Sequence, residues 1–155
     1  MITYIKYGDI FDLPDIHCYA HGCNCAGAMG KGIAVQFKNK YPDMYLQYKK
    51  RCKQGEFNLG DIFEYQSDND HIFNLGTQKD WRTKATLEAL RTAILKMLES
   101  ASKQNIKAIA MPKIGAGLGG LPWESVKSVL EELALLFPET DLVVVENYKK
   151  GDSDI

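Results

Sequence analysis

The chain has 155 residues, of which 45% are hydrophobic and 25% charged, which is one domain of ordinary size. A chain of that length buries about two thirds of its unfolded surface and needs no disulfide or metal staple. Nineteen Lys and Arg against 20 Asp and Glu leave a formal charge of −1, which excludes affinity built by coating a nucleic-acid backbone and excludes a basic membrane-surface domain. In chain order, Ile2 to Tyr7 is β-branched or aromatic at most positions and predicts a first strand. It has no apolar signal core with a cleavage site, so a cytoplasmic protein is expected. Ile16 to Ala20 is a second short apolar run. Lys31 to Tyr41 carries Ile33, Ala34, Phe37 and Tyr41 at helical spacing, and Asp43 to Lys53 repeats that spacing with Met44, Tyr45, Tyr48 and Cys52 until Gly55 stops it.

Ile62 to Tyr65 and His71 to Leu75 predict two strands joined by the polar turn Ser67-Asp68-Asn69-Asp70. The strongest helix runs from about Lys84 to Gln104, with Leu87, Leu90, Ala93, Ile94, Met97, Leu98 and Ala101 on one face and Thr83 as its cap. Ile106 to Met111 is a buried strand. Pro122 to Phe137 is a helix with Val126, Val129, Leu130, Leu133 and Leu136 inward and Pro122 in its first turn. Leu142 to Glu146 is a last strand. Residues 150–155 read as a frayed tail, which leaves residues 1–149 as the domain. No run of 18 apolar residues exists, so no membrane partner is expected.

Strands alternating with helices indicate an α/β layer fold with a largely parallel sheet. Ligands of such sheets bind where the carboxyl ends of strands lead into helices. Two glycine clusters sit at such junctions and hold eight of the thirteen glycines. One spans residues 21–32, the other residues 113–122. Glycine allows positive φ and a close ligand approach, and consecutive free N–H groups before a helix form an anion nest. Two such loops point to a ligand with two phosphates held by backbone amides. Neither loop ends in the Gly-Lys-Ser/Thr of a P-loop or has dinucleotide Gly-x-Gly-x-x-Gly spacing.

Asp9, after Gly8 at the end of the first strand, can accept from an adenine amino group or close a surface turn. His21 titrates near working pH and is a candidate general acid or base; the alternative is a buried ring bonded to a carbonyl. Lys79 is a candidate nucleophile or phosphate contact, or a solvated lysine beside Asp80 and Arg82. Trp81 and Arg82 can stack on a base, which suits a nucleic-acid end, or Trp81 pins a loop to the sheet. His17, Cys18, His21, Cys23 and Cys25 have donors for zinc but no knuckle spacing, so they read as core residues; no metal and no cofactor is expected. Cysteines at i and i+2 of a strand rarely bridge, so no disulfide framework is expected. Trp123 reads as packing, and Glu124 favours the helix dipole.

Gly8-Asp9-Ile10 after the first strand, Asn24 before a glycine loop and Ile114-Gly115-Ala116-Gly117-Leu118-Gly119-Gly120 resemble the macro domain, in order over nearly the whole chain. The resemblance implies a three-layer α/β/α sandwich with a mixed central sheet that binds ADP-ribose. It implies that Asp9 and Ile10 take the adenine, and that Asn24 takes the distal ribose. The backbone of Gly27, Ala28, Met29, Gly30, Gly32, Ile33 and Ala34, with Thr77, would take distal ribose and phosphate. Ile114, Gly115, Ala116, Gly117, Leu118, Gly119 and Gly120 would hold the diphosphate. The first cluster is similar to the ADP-ribose-1″-phosphate phosphatases and to the glycohydrolases that remove terminal ADP-ribose from protein glutamate or DNA bases. Leu75-Gly76-Thr77-Gln78-Lys79-Asp80-Trp81-Arg82 is most similar to the DNA-directed branch, where Thr-Lys-x-x-Trp-Arg is usual.

The chain departs from those relatives at two places. Their nucleophilic lysine directly follows the threonine, where this chain has Gln78, with Lys79 one place later. The protein-directed branch has an aspartate where this chain has Gly119. The phosphatase branch uses a histidine at the position of His21. The expectation is a hydrolase of an ADP-ribosylated macromolecule or of ADP-ribose-1″-phosphate, with water held by Asn24 and assisted by His21 or Lys79. The alternatives are a non-catalytic ADP-ribose reader and a binder of another nucleotide sugar or oligonucleotide end.

Overall fold

The computed structural model describes residues 1–151; the remainder of the expected 150–155 tail lies outside the described residues. Strands β1 (Ile2–Gly8), β2 (Cys18–Asn24), β3 (Ile62–Gln66), β4 (His71–Gln78), β5 (Ala108–Met111) and β6 (Asp141–Tyr148) form one sheet in the order β1-β6-β5-β2-β4-β3. All neighbours are parallel except the β3–β4 hairpin, so the sheet is mixed. Helices α1 (Ile33–Lys40), α2 (Pro42–Lys53), α3 (Leu87–Lys103) and α4 (Trp123–Ala134) complete the fold, with a 3-10 turn at Ile10–Asp12 after β1.

The sheet is covered on both faces. Ala20, Phe73, Leu75, Met111 and Val144 pack with Leu90, Ile94, Met97, Leu98 and Leu130 of α3 and α4. Tyr19, Cys23, Ile72, Ala110 and Val145 pack with Phe37, Met44 and Tyr48 of α1 and α2. Burial on both faces is why the central strands read as apolar runs rather than alternations. Each fully buried Leu, Ile or Met contributes about 1.5–3 kcal/mol.

Several boundaries differ from the sequence expectation. β2 begins at Cys18 and runs to Asn24, so the first four residues of the first glycine cluster are strand, not loop. β4 reaches Gln78 and β6 reaches Tyr148. Their polar ends obey strand geometry because the neighbouring strand, not local hydrophobicity, holds them. α3 starts at Leu87, capped by Thr86, whose side chain accepts from the Ala89 amide, so Thr83 is not the cap. Thr83 instead closes a turn, its hydroxyl donating to the Asp80 carbonyl. Pro122 is the cap of α4 rather than part of its first turn, and that helix stops at Ala134. Leu136, expected inward, is 64% exposed because it lies beyond the helix end.

Candidate functional site

At the carboxyl ends of β2, β4, β5 and β6 a cleft of about 680 Å3 opens between the two glycine loops. Its floor is Gly22, Cys23 and Asn24 of β2 with Thr77 and Gln78 of β4. One wall is the segment from Ala28 to Ala34, the other runs from Pro112 to Gly115 and from Gly117 to Gly119. Trp81 stands at the mouth and Glu146 at the β6 side.

The floor is shaped by close approach. A Cβ on Gly22 would lie 2.9 Å from Thr77 Oγ1 and 3.1 Å from Ile114 Cγ2, so only glycine lets β2 and the second loop meet there. The β2–β4 pairing shifts between Cys23 and Asn24, so that Asn24 faces Gln78 and Thr77 is passed over. A shift of this kind re-aims the side chains that follow it.

Asn24 organises the first loop. Its Oδ1 accepts from the amides of Ala26 (3.0 Å) and Ala28 (3.3 Å), and its Nδ2 donates to the Ala28 carbonyl (2.8 Å). Tyr48 of α2 donates to Asn24 from below, 2.6 Å to the backbone carbonyl and 3.0 Å to Oδ1. The expected turn cap and the expected ligand contact are therefore compatible: Nδ2 carries two hydrogens and the loop takes one.

The second loop folds on itself. Ala116 donates to the Lys113 carbonyl, Gly120 to Gly117 and Leu121 to Gly115. Gly115 needs its positive φ of 76° to make that turn. Gly119 is buried against the Gly115 carbonyl, where a Cβ would approach to 2.6 Å. The loop is tied to the start of α3 because Ala85 donates to the Gly119 carbonyl at 2.8 Å. Among the described residues, the amides of Gly30, Lys31 and Gly32 in the first loop and of Gly117, Leu118 and Gly119 in the second have no protein acceptor. Leu118 leans across the cleft, 3.1 Å from where a Cβ on Gly32 would sit, so the two loops meet above it.

His21 is not brought to the cleft. Its ring has no exposed surface, donates from Nε2 to Asn74 Oδ1 at 2.6 Å and stacks on Phe37 at 3.8 Å. Burial pushes its pKa down to about 4, although the bond to Asn74 raises it. That corrects the general acid–base expectation: β2 alternates, and the face that takes His21 is the α1–α2 core. Lys79 is also outside the lining; it is exposed, and Gln78 holds the cleft position instead. The Cys25 amide donates to the carbonyls of both Gln78 and Lys79, which fixes this register. Asp9 and Ile10 are buried and do not line the cleft, and neither do Gly27, Ala116 or Gly120.

Lys31 lines the cleft within the first loop, and Lys113, Pro112 and Glu146 line it without having been assigned a role from sequence. Glu146 is a charge that ends a run of valines at the carboxyl end of β6, which is where such folds bind ligands. Trp123 holds it, donating from Nε1 at 2.7 Å. Arg82 lies over the Trp81 ring at 5.4 Å, and Asp80 binds the Arg82 amide at 2.7 Å. These bonds hold the Asp80 carboxyl below the usual carboxylate range. The four cysteines are free, and no helix among the described residues is long and apolar enough to cross a membrane.

The family model described as the Macro domain matches residues 20–130. The chain is 36% identical over 148 residues to a DNA ADP-ribosyl glycohydrolase of Mycobacterium tuberculosis, a match covering 93% of this chain and 42% of that protein. The chain therefore spans about two fifths of the length of that relative. It is 34% identical over 146 residues to an ADP-ribose 1″-phosphate phosphatase of Candida albicans, covering 85% of this chain and 93% of that one. Among solved structures, the macrodomain of Mycobacterium tuberculosis DarG superimposes with a TM-score of 0.86 at 37% identity, over 94% of this chain and 97% of that one.

Proposed function

Since the chain belongs to the macro domain family, we propose that it binds ADP-ribose in this cleft and hydrolyses an ADP-ribose conjugate, either an ADP-ribosylated macromolecule or ADP-ribose-1″-phosphate. The observation that carries the reading is the pair of loops facing each other across one cleft with unpaired amides. The free amides of Gly30, Lys31 and Gly32 and of Gly117, Leu118 and Gly119 take the diphosphate, with helix α1 opening behind the first loop. A chain of formal charge −1 thereby holds a dianion without a basic patch, and Lys31 and Lys113 add charge at the rim. The spare Nδ2 hydrogen of Asn24 takes a hydroxyl of the distal ribose, and Asp9 takes the adenine amino group.

For a glycosidic conjugate, a water held by the ligand phosphate, beside the ribose that Asn24 positions, attacks the anomeric carbon. The bond from that carbon to the macromolecule breaks, and the proton lost by water passes through solvent or phosphate to the leaving group. Leu118 covers the cleft and limits competing water. Neither His21 nor Lys79 has a part in this step. Trp81 with Arg82 at the mouth suits a nucleic-acid end, and the DNA-directed relative supports that choice of conjugate. Four free thiols suit a reducing compartment, so we place the protein in the cytoplasm.

A second reading is a non-catalytic ADP-ribose reader. It is favoured by Gln78 occupying the cleft position and by Gly119 being packed too tightly to stand in for a carboxylate. Calorimetric titration with ADP-ribose tests binding; no heat at tens-of-micromolar protein would remove both readings. Incubation with ADP-ribosylated DNA, ADP-ribosylated protein and ADP-ribose-1″-phosphate separates them, since turnover of none leaves only the reader.

A further inference from the structure

β6, whose Glu146 lines the cleft, continues past Tyr148 along the end of β1. The Lys149 amide donates to the Gly8 carbonyl at 2.7 Å, which prolongs the β1–β6 pairing by one step. Two residues later the Gly151 amide donates to Asp9 Oδ2 at 2.9 Å. The other oxygen of that carboxylate, Oδ1, accepts from the Phe11 amide at 2.9 Å. Both oxygens of Asp9 thus carry a backbone donor, and the side chain is left 7% exposed. Ile10 beside it is fully buried, and neither residue lines the cleft. The cleft as folded stops short of the carboxylate assigned to the adenine.

The contact is shaped for glycine. A Cβ on Gly151 would collide with Asp12 Oδ2. The backbone therefore lies flat on the acidic end of the 3-10 turn, and no larger residue fits there without moving it.

We propose that residues 149–151 form a strap that closes the adenine end of the cleft, its Gly151 amide occupying the acceptor on Asp9 that the ligand's amino group takes. The inference rests on the assignment of Asp9 to the adenine. An amide bonded to a carboxylate is a charge-assisted pair, and the incoming amino group offers the same kind of bond. Exchanging one for the other gains little, while the closed strap keeps the competent, strap-lifted state a minor population. Apparent affinity is then reduced by that population. The strap is a conformational gate set by one backbone hydrogen bond.

The test uses the full chain with two substitutions at one position. Gly151→Pro removes the N–H, and Gly151→Ala puts a methyl into Asp12. Both lie at the end of the described chain, and an unchanged melting temperature shows that the domain is intact. Titration is with ADP-ribose and with inosine diphosphate ribose, which has a carbonyl in place of the amino group. The expected result is ADP-ribose binding about tenfold tighter in both variants, the factor that follows from loss of one charge-assisted bond, with a smaller gain for the inosine analogue. Wild type that binds ADP-ribose while the variants bind equally or more weakly overturns the strap. An equal gain for both ligands also overturns it, because the effect would not pass through the Asp9 acceptor. No binding by any of the three proteins removes the ADP-ribose reading itself, and the strap with it; binding by the variants alone supports the gate.

Discussion

Acidification should destabilise this protein through a single ring. His21 is fully buried, bonded through Nε2 to Asn74 and stacked on Phe37, and burial lowers its pKa from 6.5 to about 4. The folded ring therefore stays neutral where the unfolded one takes a proton. Above the unfolded value both states are neutral and the full stability is present. As pH falls below about 6.5 the unfolded chain alone binds the proton, and stability drops by about 1.4 kcal/mol per pH unit until the folded ring titrates near 4. Over the window the loss is about 3 kcal/mol, a large part of the 5–15 kcal/mol that holds a typical domain. Urea unfolding of the wild type and of His21→Gln between about pH 7 and pH 5 isolates the ring, since other carboxylates titrate alike in both. The wild type should lose stability relative to the variant as pH falls, and the His21 resonances should not shift above about pH 5. A ring that titrates near 6.5, or two proteins with parallel pH dependence, would refute the reasoning. It would also return His21 to the chemistry.

Asn24→Ala removes the bonds that shape the first loop; it should lose about 2–3 kcal/mol in urea unfolding and bind ADP-ribose at least about tenfold more weakly by calorimetry. Binding within about twofold of wild type would mean that the loop holds its shape without the amide. Gln78→Lys places an amine at the cleft position and should raise turnover of ADP-ribosylated DNA by at least about tenfold. Lys79→Ala should leave turnover nearly unchanged; a larger loss there than gain at Gln78 would show that Lys79 reaches the substrate after all. Gly119→Asp puts a Cβ 2.6 Å from the Gly115 carbonyl and 3.0 Å from Ala85 Cβ. It should destabilise by about 1–3 kcal/mol and should not raise activity; a variant of wild-type stability with higher turnover would show that the loop has room.

The α/β layering and the two glycine loops were legible because they rest on periodicity and on glycine at strand-to-helix junctions. Leu90, Ile94, Met97 and Leu98 fall on the buried face of α3 as their spacing predicts. The misplacements share one cause, which is that partners distant in sequence decide them. His21 lies in a strand whose two faces are both core, so its polarity says nothing about exposure; only Asn74, 53 residues away, accounts for it. Lys79 and Gln78 exchange roles through the register of β4 against β2, including the shift at Cys23 and Asn24. Asp9 does not line the cleft, and its closure by Gly151 joins residues 142 positions apart. Glu146 carried a signal that went unused: a charge ending an apolar strand at the carboxyl edge of a parallel sheet, where such folds bind ligands.

The parallel pairing of β1 with β6 has a practical consequence. Both strands point the same way, so Met1, whose amine meets Asp141 at 3.3 Å, stands at the far rim of the sheet, whereas Gly151 stands beside Asp9. A seven-residue strand such as β1 separates the rims by about 20 Å. An immobilisation tag placed before Met1 leaves the cleft facing bulk solvent and sacrifices only an exposed ion pair worth little. A tag or fluorophore joined after residue 151 starts beside the Asp9 carboxylate, on the proposed strap. If the strap opens for the ligand as proposed, such a label would report its entry and would also alter the affinity it was meant to measure.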